Sequence, residues 1–172
     1  YDFALAVERI KAGAAAARAL GRPFIFCARA DGVMHGTYAL AEAIRRLQAF
    51  EAAGADLLYI PVPPGPHEQG NIAINAIHEL VPVGSSELKQ ILAAVSKPVN
   101  ALAAGPLKQL TVAELATIGV RRISTGSQIA RLTHAAIRDA TSAMLDKGSF
   151  APLMATANGD EIDALLLKGS AQ

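Results

Sequence analysis

Phe24-Ile-Phe-Cys-Ala-Arg-Ala-Asp31 is an apolar run closed by an arginine and an aspartate. Buried parallel strands read as continuous apolar runs, and in barrel enzymes the polar residues at the C-terminal ends of the strands face the functional site. Alternation places Ile25, Cys27 and Arg29 on one face of this strand and Phe24, Phe26 and Ala28 on the other. With the aromatic face against a helix layer, Arg29 points into the site, where its fixed fork of donors suits a carboxylate or phosphate. The competing expectation is that Arg29 only pairs with Asp31 or a neighbouring acid and orders the loop.

Helices and strands alternate on both sides of this run. Residues 2–20 carry apolar side chains at helical spacing (Leu5, Val7, Ile10, Ala14, Ala17) and stop at Gly21 before Pro23. Asp31 to Gly36 reads as a loop by its glycines, and Thr37 or a neighbour opens a helix that runs to Gly54. A second strand spans 56–62. Residues 63–70 are too rich in proline and glycine for regular structure, and 71–80 form a short mixed segment. Ser85 or Ser86 caps a helix to Val95, with Glu87 in its first turn, where the helix dipole favours an acid. The third strand is 98–103, broken by Gly105-Pro106. Thr111-Val-Ala-Glu114 is a capping box opening a helix to Gly119. The fourth strand is 121–125, closed by Gly126. Residues 128–147 form a long amphipathic helix stopped by Gly148, and 160–168 a short tail helix bearing Ile162, Leu165 and Leu166.

Four strands alternating with helices imply parallel pairing through right-handed crossovers. The result is either a small open sheet or half of an eight-stranded barrel. The first leaves strand edges to protect; the second exposes its inner face unless another half covers it.

At 172 residues and 52% apolar composition the chain can bury a sizeable core. A net charge of +1 points to neither nucleic acid nor an anionic membrane. No apolar run approaches the roughly 20 residues of a membrane helix, and no signal peptide opens the chain, so the expected compartment is cytoplasmic. The single cysteine, Cys27, lies in a strand and is expected as a small core residue rather than a nucleophile.

Six segments occur in an order that carries further information: Ala6-Val-Glu-Arg-Ile10, Ala28-Arg-Ala-Asp31, Ala53-Gly-Ala-Asp56, Pro98-Val-Asn100, Thr111-Val-Ala-Glu-Leu-Ala116 and Gly119-Val-Arg-Arg-Ile-Ser-Thr-Gly-Ser127. The ordered set resembles the isocitrate lyase and phosphoenolpyruvate mutase superfamily, most of all its small bacterial members of the phosphonomutase-like, methylisocitrate lyase-like or oxaloacetate decarboxylase-like kind. The resemblance implies a (β/α)8 TIM-type barrel acting on small 2-oxo acids or phosphoenolpyruvate-type substrates through an enolate held on Mg2+. It implies that the metal-binding acids and a cysteine-containing lid belong to the first half of the barrel. This chain is expected to begin after the fourth strand, with residues 1–150 supplying about the last four β/α units and 151–172 a tail helix exchanged between subunits of a homo-oligomer. No metal ligand is carried over.

Three positions match the family pattern. Arg29 corresponds to the arginine implied to hold the substrate's carboxylate or phosphonate, and Asn100 to an asparagine implied to hydrogen-bond substrate. Pro61 stands where many lyases place a glutamate. Proline has no side-chain proton to give or take, so acid–base chemistry at position 61 is closed; some phosphonomutase-like relatives resemble this chain there. The stretch 63–84 is longer than the usual family loop and either reshapes substrate choice or is a surface excursion.

Other residues carry two readings each. Gly105-Pro106 and Ser124-Thr-Gly-Ser127 follow the last two strands, where barrels bind phosphate, which makes Ser127 a substrate-binding candidate; otherwise Gly126 permits a tight turn and Ser127 caps the long helix. His67 and His78 each adjoin a glutamate but lack metal-site spacing. His35 is placed to act as a general acid or is a solvated loop residue, and His134 is a surface or packing residue of the long helix. Leu132, Ala136, Ile137, Ala140, Met144 and Leu145 form an apolar stripe that suits subunit association or burial within one chain. Functionally, the chain is expected to be part of a lyase or phosphonomutase-like enzyme. The alternatives are a non-catalytic half-barrel that assembles or binds small anions, and another phosphate-binding barrel fragment.

Overall fold

Asp2 opens the first helix, α1 (Phe3–Arg18), by accepting the Leu5 N–H at 2.8 Å, which satisfies a backbone donor that the helix itself leaves unpaired. The computed structural model describes residues 1–61 and 85–170, divided into two units, Tyr1–Gly126 and Ser127–Gln172. In the first unit the order after α1 is β1 (Cys27–Arg29), α2 (Gly32–His35), α3 (Leu40–Ala52), β2 (Leu57–Tyr59), α4 (Ser85–Ala94), β3 (Val99–Leu102), a 3-10 turn (Gly105–Gln109), α5 (Val112–Ile118) and β4 (Arg122–Ser124). The sheet runs β1-β2-β3-β4, with every neighbour parallel.

One face of that sheet builds the core. Ala28, Leu58, Val99 and Ala101 lie on it and meet Leu47 and Phe50 of α3, Ile91 of α4 and Leu115 of α5 in one cluster. Burying each leucine or isoleucine removes enough apolar surface to stabilise the fold by about 2 kcal/mol. Small residues on the sheet face (Ala28, Ala101) leave room for the large ones on the helices, the complementarity that dense interiors require.

Asp56 ties down the N-terminal ends of β1 and β2. Its carboxylate accepts the Phe26 N–H at 2.9 Å and two N–H groups of Arg18 at 2.8 and 3.1 Å, while Arg18 also donates to the Gly54 carbonyl. The backbone donor of Phe26, followed by Arg18, holds this carboxyl below its ordinary range.

Several local expectations change. The strands are shorter than their apolar runs: Phe24 and Ile25 precede the ladder, which begins at Cys27, and are 47% and 72% exposed. Residues after Asp31 form a helical turn rather than a loop. Gly32 is needed there because a Cβ would run into the Tyr38 ring, and Gly36, at φ 65, ends the turn. Thr37 does not cap α3; its hydroxyl donates to the Gly32 carbonyl, and the residue before the helix is Ala39, with no side-chain cap. Ser85 and Ser86 lie inside the first turn of α4, where the Ser86 hydroxyl donates to Glu87. The capping box at Thr111 has both of its bonds, Glu114 N–H to the Thr111 hydroxyl at 3.2 Å and Thr111 N–H to the Glu114 carboxylate at 2.7 Å.

The second unit holds α6 (Gln128–Lys147), ended by Gly148 in the left-handed region, a 3-10 turn (Ala151–Ala155) and α7 (Gly159–Ser170). Ser127 occupies the capping position of α6, yet its side chain makes no capping bond. No described helix is long and apolar enough to cross a membrane.

Candidate functional site

The ladder register brings four polar-headed side chains onto one rung: Arg29 pairs with Tyr59, Tyr59 with Asn100, and Asn100 with Arg122. Residues in register on parallel strands share a face, and this face is the one opposite the helix-covered core. With strands roughly 4.8 Å apart, the rung spans about 14 Å from the first Cα to the last. Ser124 follows two residues after Arg122 on the same face, toward the C-terminal ends of the strands.

Arg29 donates through Nε at 3.1 Å and Nη2 at 2.8 Å to a single oxygen, Oδ1 of Asp31. The pairing expected as the purely structural reading is therefore present. Both side chains are about half exposed, at 50% and 45%, and such a pair is worth about 1 kcal/mol or less. A pair this weak leaves the fork exchangeable. The guanidinium also lies 5.1 Å from the centre of the Tyr59 ring, a cation–π arrangement that keeps it over the rung.

Tyr59 is buried, and burial raises its phenol above the ordinary value against the opposing pull of Arg29; the group is a protonated donor at neutral pH. Its hydroxyl hydrogen-bonds Ser124. Asn100 is 2% exposed. Its Nδ2 donates to the Ser124 Oγ at 2.9 Å and its Oδ1 accepts from Arg122 Nη1 at 2.9 Å. Below the rung Cys27 is half-buried on the same face, not in the helix-covered core; burial raises its thiol, partly offset by Arg122 and Arg29, so it rests as a thiol. Beside it a recess of about 500 Å³ is lined by Ile25, Cys27, Asp56, Leu57, Pro98 and Arg122.

Of the residues read from the sequence, Arg29 and Asn100 are brought onto one rung. Pro61 lies two residues beyond Tyr59, is fully buried, and offers only carbon. Ser127 opens the second unit. Gly126 takes φ 54 with Leu102 against it, which accounts for the glycine by a tight turn. His35 is an exposed residue at the end of α2, and His134 sits within α6. His67, His78 and the whole stretch 63–84 lie outside the described residues. Tyr59 and Arg122 were not singled out from the sequence; the parity of Arg122 and Ser124 within the fourth strand was the available signal.

A Mg2+ ion needs several oxygen ligands, usually including one or two carboxylates. Among the described residues no group of three histidines, cysteines, aspartates or glutamates comes together. Asp31, the carboxylate beside the rung, is engaged by Arg29, and Asp56 is held by Phe26 and Arg18 at the other end of the strands. The described side of the site does not fit a Mg2+ ion.

Four parallel strands covered by helices on one face, with polar groups gathered on the other, define an α/β protein, and its solved relatives are of the TIM-barrel type. The chain belongs to the phosphoenolpyruvate phosphomutase family, whose model matches residues 1–145, within the superfamily that also contains isocitrate lyase-like enzymes. A Burkholderia cenocepacia J2315 protein assigned as a lyase/mutase is 34% identical over 96% of this chain and 53% of its own, with a TM-score of 0.76. 2,3-Dimethylmalate lyase, of the PEP mutase/isocitrate lyase superfamily, is 21% identical over 98% of this chain and 50% of its own, with a TM-score of 0.65. Phosphonopyruvate hydrolase is 22% identical over 96% and 54%, with a TM-score of 0.63. The chain thus spans about half the length of these solved relatives, and the last two share its fold. No curated protein matches the chain.

Proposed function

We propose that this chain is the substrate-anion-binding part of a lyase or phosphonomutase-type enzyme acting on a small 2-oxo acid or phosphoenolpyruvate-type substrate. The observation that carries the reading is the rung itself: Arg29, Tyr59 and Asn100 stand side by side as donors on the face opposite the helix-covered core. Arg29 takes a carboxylate or phosphonate from Asp31 by its two-pronged fork, and the Asn100 amide and Tyr59 hydroxyl meet further substrate oxygens. Donors already fixed in place stabilise charge that develops as an enolate forms, because they need not reorganise during the reaction. Family membership supports the class, since the chain's solved relatives include 2,3-dimethylmalate lyase and phosphonopyruvate hydrolase. The Mg2+ that the resemblance implies draws no ligand set from the described residues, and the residues that hold it belong to another part of the site. Assembly into a homo-oligomer is part of the same proposal, supported by the apolar stripe of α6 and the tail leucines.

Oxalate, a compact dianion shaped like an enolate of this class, is the test ligand. Calorimetry on the protein carrying this chain, with and without Mg2+, is expected to show oxalate binding that Arg29→Ala weakens at least tenfold. Unchanged affinity in Arg29→Ala would refute the assignment.

A second reading is favoured by Pro61, which offers no side-chain proton where many lyases place a glutamate: a module that binds small anions without turnover. It predicts oxalate binding that Mg2+ does not strengthen.

A further inference from the structure

We infer that Arg122 is a positioning residue that sets the direction of hydrogen bonding across the rung, so that Asn100 presents its amide N–H, and not its carbonyl, to substrate; this deepens the proposed function and rests on it. An asparagine side chain can turn either way, and the two orientations look alike by shape. A guanidinium removes the ambiguity because it has donors and no acceptor. The atom facing Arg122 Nη1 at 2.9 Å must be Oδ1, which leaves Nδ2 on the opposite side, donating to the Ser124 Oγ at 2.9 Å. Ser124 stands nearer the C-terminal ends of the strands than Arg122, so the NH2 group is turned toward the rim at which Arg29 meets Asp31.

Two further observations give this orientation a purpose. Asn100 is 2% exposed, and its second amide N–H makes no hydrogen bond among the described residues. Buried donors are nearly always satisfied, and one held without a partner marks a place that a ligand atom completes. Arg122 itself is met by the neutral amide and by no carboxylate among the described ion pairs, so its charge is spent on orienting the amide. The effect is selective. With Arg29, Asn100 Nδ2 and the Tyr59 hydroxyl all offering donors, the face accepts groups that only accept, such as a carboxylate, and rejects a neutral amide in the same place, whose own N–H would meet another donor.

The test compares Arg122→Gln, Arg122→Lys and Arg29→Ala in the protein carrying this chain. Glutamine can accept as well as donate and so frees the Asn100 amide to turn; lysine, like arginine, only donates. Oxalate affinity is expected to fall at least tenfold in Arg122→Gln and to return to within about threefold of wild type in Arg122→Lys, with the melting temperature of the two variants alike. The preference for oxalate over its neutral diamide, oxamide, should shrink in Arg122→Gln alone. Loss in both variants to the same degree, or in neither, overturns the inference. Where Arg29→Ala abolishes oxalate binding and Arg122→Gln leaves it intact, the proposed function stands and this inference alone fails; where Arg29→Ala changes nothing, the proposed function is at fault. A ligand-free reading covers that case and a poorly folded glutamine variant: the side-chain NH2 signals of Asn100, assigned by their loss in Asn100→Ala, are expected to stay in place in Arg122→Lys and to move or exchange faster in Arg122→Gln. Signals unmoved in Arg122→Gln, or displaced in Arg122→Lys as far as in a disordered amide, overturn it as well.

Discussion

Asn100 and Arg122 are joined side chain to side chain across β3 and β4, donor to acceptor at 2.9 Å, on the same rung that carries Arg29 two strands away. Removing the amide breaks this bond and the one to Ser124 together. Asn100→Ala is expected to weaken oxalate binding at least tenfold, about 1.4 kcal/mol. It is also expected to lower unfolding stability by about 1–2 kcal/mol, because Ser124 and Arg122 lose their partner. Calorimetry and urea titration read the two effects separately.

Asp31 is a competitor for the fork of Arg29. Asp31→Asn removes its charge, and oxalate is expected to bind a few-fold tighter, since the displaced pair is worth about 1 kcal/mol or less. Arg29→Lys should bind oxalate more weakly than wild type, because an ammonium cannot grip two oxygens in one plane. Weaker binding in Asp31→Asn would show that the aspartate helps to hold the anion and does not merely compete for the arginine.

Cys27 provides a probe of the same face, being the chain's sole cysteine. Its thiol is raised above the ordinary 9.0, chiefly by burial, and the thiolate is the reactive form. Alkylation by iodoacetamide at pH 7 is expected to run slower than that of glutathione, and its rate should still be climbing above pH 9. A plateau near pH 7 would contradict the burial described for this side chain.

Asp56 makes the fold sensitive to acid. Its folded-state value lies below the ordinary 3.8. The stability it contributes is full above about pH 5 and is lost as the pH falls through the folded-state value. Asp56→Asn is therefore expected to be less stable than wild type at pH 7, by about 2 kcal/mol for the lost charged hydrogen bonds, and the gap between the two proteins should narrow as the pH falls through the folded-state value of Asp56. Urea titrations at pH 7, 5 and 3 give the comparison.

Elements bounded by local chemistry were legible in the chain itself. Thr111 and Glu114 state a helix start, Gly119 and Gly148 state stops, and α6 occupies the residues that its periodicity marks, Gln128 to Lys147. Strand ends were less legible. Phe24 to Phe26 is as apolar as a strand needs, but a strand exists only where a neighbour pairs with it, and pairing begins at Cys27. The glycines after Asp31 suggest a loop, yet the residues form a helical turn, because Gly32 serves close approach by Tyr38 and not flexibility.

The family followed from the resemblance carried by six ordered segments, and the barrel-type fold from what that resemblance implies; caps, glycine stops and two-residue alternation gave the succession of strands and helices but left an open sheet and a half-barrel both standing. Arg29 was visible from its place at the end of an apolar strand, and Asn100 from the resemblance alone. Their partnership with Tyr59 and Arg122 was not, since alternation says which residues share a face but leaves open which face the helices cover and which rung each strand joins. Those choices are made by strand pairing and by the apolar contacts of α3, α4 and α5, interactions between residues dozens of positions apart. They turned four side chains from separate strands into one row of donors.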